Sequence, residues 1–405
     1  MFPAILVAFL GVLWAQEEAK VAVAGGEVAY FHSPAGGTES KPLVVVLAGG
    51  VAGPESVKAL YRQWQIGWNV VAPLVSCGSD PGVKALDLIV ADARKRLPVD
   101  ASRMYLVGAG PAASEVFYTV SRLPDPWAAA LAIQGNPTPA VNSNRLFGAN
   151  TGLVPVLWVN PLPAADLARQ KLAAARFNFE TPPGLSDAQI LEWLARRHKD
   201  PYPFSIDCET GSPALSRCYW IQMTKFDPRK RNGALGSTRV APGSGAALGF
   251  GAFAYDASAE GPGALVAWLP GNSSGPLRPG DRITSIAGHS IQDGREYARF
   301  MDQMSEEKTV AVIIERGKER LRKETRVVLP KREELLTARV QATYTPDQKE
   351  VLIISRTVSE LRVTIPPEWA PVRIAWNAAD LKVESGGCWV LNQEKEPATA
   401  TPCAP

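Results

Sequence analysis

The residues whose spacing points most directly to chemistry are Gly108-Ala109-Gly110-Pro111-Ala112, which occupy the frame G-x-S-x-G with glycine in the serine position. In that frame a strand turns sharply into a helix, and a strained backbone lifts a nucleophilic hydroxyl clear of the sheet. Glycine adopts positive φ at no steric cost, so Gly110 preserves the turn while removing the nucleophile. The N–H of the following residue normally donates to the developing oxyanion, and Pro111 has none. Attack and charge stabilisation are both compromised, and no catalytic residue is expected here.

A serine nucleophile takes its base from histidine, and the chain holds only three. His32 precedes the apolar run around Val44, and His289 lies far downstream. His198 follows an amphipathic helix opened by Ser186 and Gln189 at capping-box spacing, and reads as a solvent-facing residue at a helix end. A relocated site would use Ser114, one turn into the helix after Gly110, or the loop Ser76-Cys77-Gly78-Ser79. Neither has a base nearby in sequence; a helix-face serine and a loop thiol are the simpler readings.

The elements around the frame follow a pattern. Residues 41–50 are an apolar β-branched run ending in Ala48-Gly49-Gly50, the signature of a buried strand entering a loop. Residues 87–97 read as an amphipathic helix, 99–108 as the strand entering the turn, and 128–135 and 154–160 as two later strands. Together these resemble the α/β-hydrolases, in particular secreted esterases related to polyhydroxybutyrate depolymerases and prolyl-oligopeptidase-like enzymes. The resemblance implies a mostly parallel sheet flanked by helices. It also marks departures: Ala48 replaces the histidine of a His-Gly-Gly oxyanion loop, the turn 160–165 lacks the usual catalytic aspartate, and 177–184 contains no histidine.

Residues 247–330 change character. The stretch from Gly263 to Ile291, with Gly280-Asp281 before a strand and the bend Ala287-Gly288-His289-Ser290-Ile291, resembles a PDZ domain of the bacterial periplasmic-protease type. The resemblance implies that Ala247-Leu248-Gly249-Phe250 is a carboxylate-binding loop and that Gly251, Ala252 and Phe253 form the strand that pairs with a peptide. A helix over 295–304, carrying Tyr297, Phe300, Met301 and Met304, would be the opposite wall. The implied partner is a protein C-terminus or extended peptide, added as a strand with its carboxylate on backbone N–H groups. A competing reading puts these apolar side chains in the small domain's core.

Between the two regions, residues 205–245 read as connecting strands and a linker, with 227–233 an exposed loop. Beyond Pro330, short runs separated by turns predict a small antiparallel β-module. The expected fold class is therefore α/β, with a hydrolase-like domain over 16–204, a PDZ domain (α+β) over 246–332 and a β-rich module over 333–405.

At 405 residues, 46% hydrophobic and 20% charged, the chain has a globular composition, and a net charge of +3 is too small to argue for nucleic acid. The basic stretch 316–332 alternates with apolar positions and reads as the solvated side of a hairpin. Residues 1–15 are apolar, end abruptly at Gln16-Glu17-Glu18, and resemble a secretory signal peptide; no later segment is apolar for long enough to span a membrane. The mature chain is expected to be periplasmic or secreted. Five cysteines suit that compartment: Cys208 and Cys218 bracket a turn, Cys388 and Cys403 would pin the tail, and Cys77 is left over. Their spacing predicts no metal site, and no cofactor is expected. Two readings result: a non-catalytic exported protein that binds peptides, and a serine hydrolase with a relocated site. A third, adhesion through the β-rich tail, has no specific residue behind it.

Overall fold

The computed structural model describes residues 17–49, 67–331, 335–394 and 396–403. The apolar leader and Gly50 lie outside the described residues. The first unit is built on β1 (Glu17–Val23), β2 (Gly26–Ser33), β3 (Lys41–Leu47), β4 (Asn69–Pro73), β5 (Val99–Ala109), β6 (Ala129–Ile133), β7 (Val156–Val159) and β8 (Phe179–Glu180). Their order across one sheet is β1-β2-β4-β3-β5-β6-β7-β8. The pairs β1/β2 and β2/β4 are antiparallel, and β3 to β8 are parallel. An antiparallel hairpin leading into a parallel run whose third and fourth strands exchange places is the sheet of the α/β-hydrolase fold.

Alternation along each strand splits the core. Val45, Leu47 and Leu106 face α1 (Asp80–Arg96) and α2 (Ala112–Arg122). Val44, Val46 and Tyr105 face the opposite layer, where α5 (Asp187–Ala195) contributes Ile190 and Leu194. Two shorter helices, α3 (Thr138–Asn142) and α4 (Asp166–Ala174), follow β6 and β7. The sequence places the start of α1 at residue 87; the helix instead begins at Asp80, with Pro81 in its first turn. Pro81-Gly82 reads locally as a turn, but proline suits a first helical turn. Gly82 is required by packing, since a Cβ there would lie 1.8 Å from the Ser76 carbonyl oxygen.

Chain order continues with β9 (Ser205–Thr210), β10 (Arg217–Cys218) and β11 (Ile221–Phe226). The next unit contains β12 (Ala247–Leu248), β13 (Ala254–Asp256), β14 (Ala264–Trp268), β15 (Arg282–Ile286), β16 (His289–Ser290), α6 (Gly294–Gln303), β17 (Thr309–Arg316) and β18 (Glu319–Val328). Its sheet runs β12-β18-β17-β15-β14-β13, which leaves β13 at an edge. The strand expected at 251–253 therefore starts three residues later, because Gly251 takes φ +92°, a turn conformation. The basic stretch is a hairpin, with Glu315 opposite Arg320 and Ala311 opposite Glu324.

The last strands are β19 (Ala338–Thr345), β20 (Glu350–Arg356), β21 (Val358–Ile365), β22 (Val372–Trp376), β23 (Ala379–Val383), β24 (Gly387–Asn392) and β25 (Thr399–Pro402). They form two five-stranded sheets, β10-β11-β21-β24-β25 and β23-β22-β20-β19-β9. The strands read as connectors over 205–245 are thus structural members of the C-terminal unit, and the unit over 247–328 is inserted into it. Local sequence could not join them, since β9 pairs with β19 and β11 with β21 across more than a hundred residues. One pair, β20/β22, is parallel rather than antiparallel.

Cys208 is bonded to Cys218 and Cys388 to Cys403, while Cys77 is buried and free. The first bond joins β9 in one sheet to β10 in the other. Replacing Cys208 and Cys218 by serine is expected to cost roughly 2–4 kcal/mol, read as a lower urea midpoint for the β-unit than in the parent protein.

Candidate functional site

The turn from β5 into α2 holds Gly110 at φ +56°. Its N–H donates to the Ile133 carbonyl at 2.9 Å, tying the turn to β6. Two other glycines allow the tight approach. A Cβ on Gly108 would come within 2.6 Å of the Ala112 carbonyl oxygen, and one on Gly135 within 2.2 Å of the Gly110 carbonyl oxygen. A Cβ on Gly110 itself would meet nothing within 4 Å, so the turn presents an empty position at the place a nucleophile would stand. Pro111 follows as the N-cap of α2.

Among the described residues, none of the usual partners is gathered there. His32 lies on β2, buried, with Nε2 3.7 Å from Glu17, and its burial lowers its pKa. It is three strand spacings from β5, about 14 Å. His198 is exposed beyond α5, where the N–H of Lys199 donates to the Ser102 carbonyl. Ser102 is eight residues before Gly110, about 26 Å along an extended strand, at the far end of β5. His289 belongs to the inserted unit, where it stacks on Phe300 at 4.5 Å and contacts Glu296 at 3.1 Å. After β7, Asn160 takes φ +51° in place of an acid, and the next carboxylate, Asp166, pairs with Arg169 and Arg295.

The serines considered as replacements have their own partners. Ser114 is buried and accepts from the Ala140 N–H at 3.1 Å, a packing role on a helix face. Ser79 caps α1 with extended backbone and makes no side-chain cap bond. Ser76 is exposed and donates to Glu115 Oε1. Glu115 is buried with Oε2 unpartnered, and burial outweighs its hydrogen bonds to raise its pKa. The thiol of Cys77 is pushed up as well, by burial and then by Glu115.

A raised carboxyl pKa contributes stability below the unfolded value near 4.5 that is lost as pH rises through the folded value. Glu115→Gln has no such loss. The variant's melting temperature is therefore expected to gain on the parent's as pH rises from about 4.5 towards neutrality, and parallel melting curves across that window would refute the assignment.

A well-defined concavity lies elsewhere, a cleft of about 540 Å³ between the hydrolase-like unit and the inserted unit. Of the residues expected to bind peptide, Leu248, Gly251, Phe253, Tyr297 and Met301 line it. Gly249, Phe250 and Phe300 do not. The Gly249 N–H already donates to the Arg326 carbonyl at 2.8 Å, Phe250 is buried in the core of the inserted unit, and Phe300 turns to His289. Leu248, Tyr297 and Met301 serve both core and cleft. The other wall was not legible in the sequence: Asn136, Thr138, Asn142, Leu167 and Lys171 come from α3, α4 and the loop after β6. Nothing local marks these residues, because only the docking of the units gives them a common cavity. Asn136 follows Gly135, so the cleft opens beside the Gly110 turn.

Two ion pairs hold α4 along α6. Lys171 Nζ lies 2.8 Å from Asp302, and Arg295 lies 3.5 Å from Asp166. The chain entering β12 is pinned at the same place, with the Ser244 N–H donating to Asp302 Oδ1 and the Gly243 N–H to Asn142 Oδ1, each at 2.9 Å. Among the described residues there is no cluster of three or more His, Cys, Asp or Glu suited to a metal, and no helix is long and apolar enough to cross a membrane.

No protein-family model and no curated protein matches the sequence. Solved structures do. A fungal esterase from Rhizomucor miehei is 13% identical with a TM-score of 0.36, over 45% of this chain and 81% of its own. A putative dienelactone hydrolase from Klebsiella pneumoniae subsp. pneumoniae is 18% identical with a TM-score of 0.35, over 45% and 99% respectively. An esterase from Pyrobaculum calidifontis is 14% identical with a TM-score of 0.34, over 42% and 76%. The strand order and the turn at Gly110, rather than these low scores, carry the α/β-hydrolase fold.

Proposed function

We propose that this is an exported, non-catalytic α/β-hydrolase-like protein that captures protein C-termini or extended peptides in the groove of a PDZ-like unit. The observation that carries the reading is the edge position of β13 beside α6, with the loop 248–251 at its start. An edge strand offers unpaired N–H and C=O groups to an incoming strand. Phe250 and Gly251 would supply the amides for the carboxylate, since that of Gly249 is already committed. Export is supported by the apolar leader and the two disulfides.

Fluorescent C-terminal peptide libraries against residues 16–405 test the reading. Peptides ending in a free acid are expected to bind at least about tenfold more tightly than their amides, the loss of a charge-assisted hydrogen bond being worth roughly 1.5–3 kcal/mol. Equal binding of acid and amide would sink it. The second reading, a serine hydrolase with a relocated nucleophile, is favoured by one contact, the Ser76 hydroxyl on the buried carboxyl of Glu115. Fluorophosphonate labelling mapped to Ser76 would establish that reading instead.

A further inference from the structure

The groove beside β13 has the hydrolase-like unit along its remaining side. Leu167 and Lys171 of α4, with Thr138 and Asn142 of α3, share the cleft with Phe253 and Tyr297. The pairs Asp166–Arg295 and Lys171–Asp302 span α4 and α6 at both ends, so the two helices run together along the cleft. A ten-residue helix such as α6 is about 15 Å long, enough to flank about four residues of extended peptide.

A strand added to β13 points successive side chains to opposite sides. One set enters the wall made by Tyr297 and Met301 of α6. The alternate set would face water above a free-standing module of this kind; here it meets the hydrolase-like unit. Building on the peptide-binding reading above, we propose that the hydrolase-like unit is the second half of the peptide site. The walls at Thr138, Ala164 and Leu167 select C-terminal peptides with small or polar side chains at the alternate positions. The fold that lacks a serine at its turn is retained, on this view, as a selectivity wall. Close approach supports the steric form of this selection, because the Gly243 segment is wedged so tightly that a Cβ there would come within 2.7 Å of Asp302 and 2.9 Å of Asn142.

The test uses residues 16–405 and a positional library of free-acid peptides. Ala164 and Thr138 lie on the hydrolase-like side and are not buried, so Ala164→Trp and Thr138→Trp fill the cleft without entering a core. Each is expected to weaken the best peptide at least tenfold at an unchanged melting temperature, while Leu167→Ala admits bulkier residues at the alternate positions. Independently, benzoyl-phenylalanine at an alternate position of the peptide should crosslink to α3 or α4. If both tryptophan variants bind like the parent, crosslinks fall only within 247–328 and Phe253→Ala abolishes binding, the composite site is overturned while the peptide-binding reading stands. If no peptide binds the parent protein, both fall.

Discussion

A serine introduced at Gly110 will not turn this protein into an esterase. Nitrophenyl-ester hydrolysis by the parent and by Gly110→Ser is expected to stay within about tenfold of buffer, against the roughly 10⁶-fold that an intact triad supplies. The side chain itself will fit, since the position opens into free space and its φ of +56° is one a nucleophile turn tolerates. Among the described residues, the partners that the hydroxyl needs are not gathered at the turn. Pro111 cannot donate to an oxyanion, His32 and His198 lie strands or residues away, and the turn after β7 carries Asn160. A fluorophosphonate should leave both proteins unlabelled. Stoichiometric labelling of position 110, or turnover a thousandfold above buffer, would mean that a base reaches the turn in solution and would overturn the non-catalytic reading.

The largest loss of stability is expected from Glu209→Ala. Glu209 sits on β9 almost wholly excluded from water. Its carboxylate accepts from Ser237 Oγ at 2.6 Å, from the Thr238 N–H at 2.6 Å and hydroxyl at 2.8 Å, and from Thr337 Oγ1 at 2.7 Å, and it faces Arg356 at 3.1 Å. Its backbone exchanges two further bonds with Asn150 of the hydrolase-like unit. One side chain thus fastens the linker ahead of the inserted unit, the first strand of the β-unit and its re-entry at Thr337. Removing it takes the carboxylate from Arg356, which keeps only the Leu235 carbonyl and the Thr337 hydroxyl, and leaves Thr238 and the buried Thr337 hydroxyl without their acceptor, a change that costs roughly 3–5 kcal/mol. The urea midpoint of the β-unit should fall accordingly, and trypsin should cut sooner at Arg239, which the Thr238 bonds hold in place. Glu209→Gln, which keeps the shape and one acceptor, should lose less. An alanine variant within 1 kcal/mol of the parent would show that water replaces these contacts.

Legibility followed the range of the interaction. The strand-to-helix turn was readable because Gly108, Gly110 and Pro111 act on their own backbone. The capping box was readable for the same reason: Ser186 and Gln189 bond each other's backbone within one turn, at 3.4 and 2.9 Å. The start of α1 was misread because Gly82 answers to the Ser76 carbonyl rather than to its neighbours in sequence. Helical spacing puts Phe300 on the face of Tyr297 and Met301, yet its ring stacks on His289 rather than lining the cleft, a contact between units of sequence that no local pattern marks.

By itself the sequence determined the strand-to-helix frame with glycine at position 110 and the buried strand over 41–47, since propensity, patterning and glycine geometry act over a few residues. Only the tertiary structure decided that 205–226 completes a β-sandwich around the insertion and that α3 and α4 wall the cleft. Both depend on surfaces that meet across a hundred residues or more, where chain entropy is offset by packing and ion pairs that no local pattern encodes.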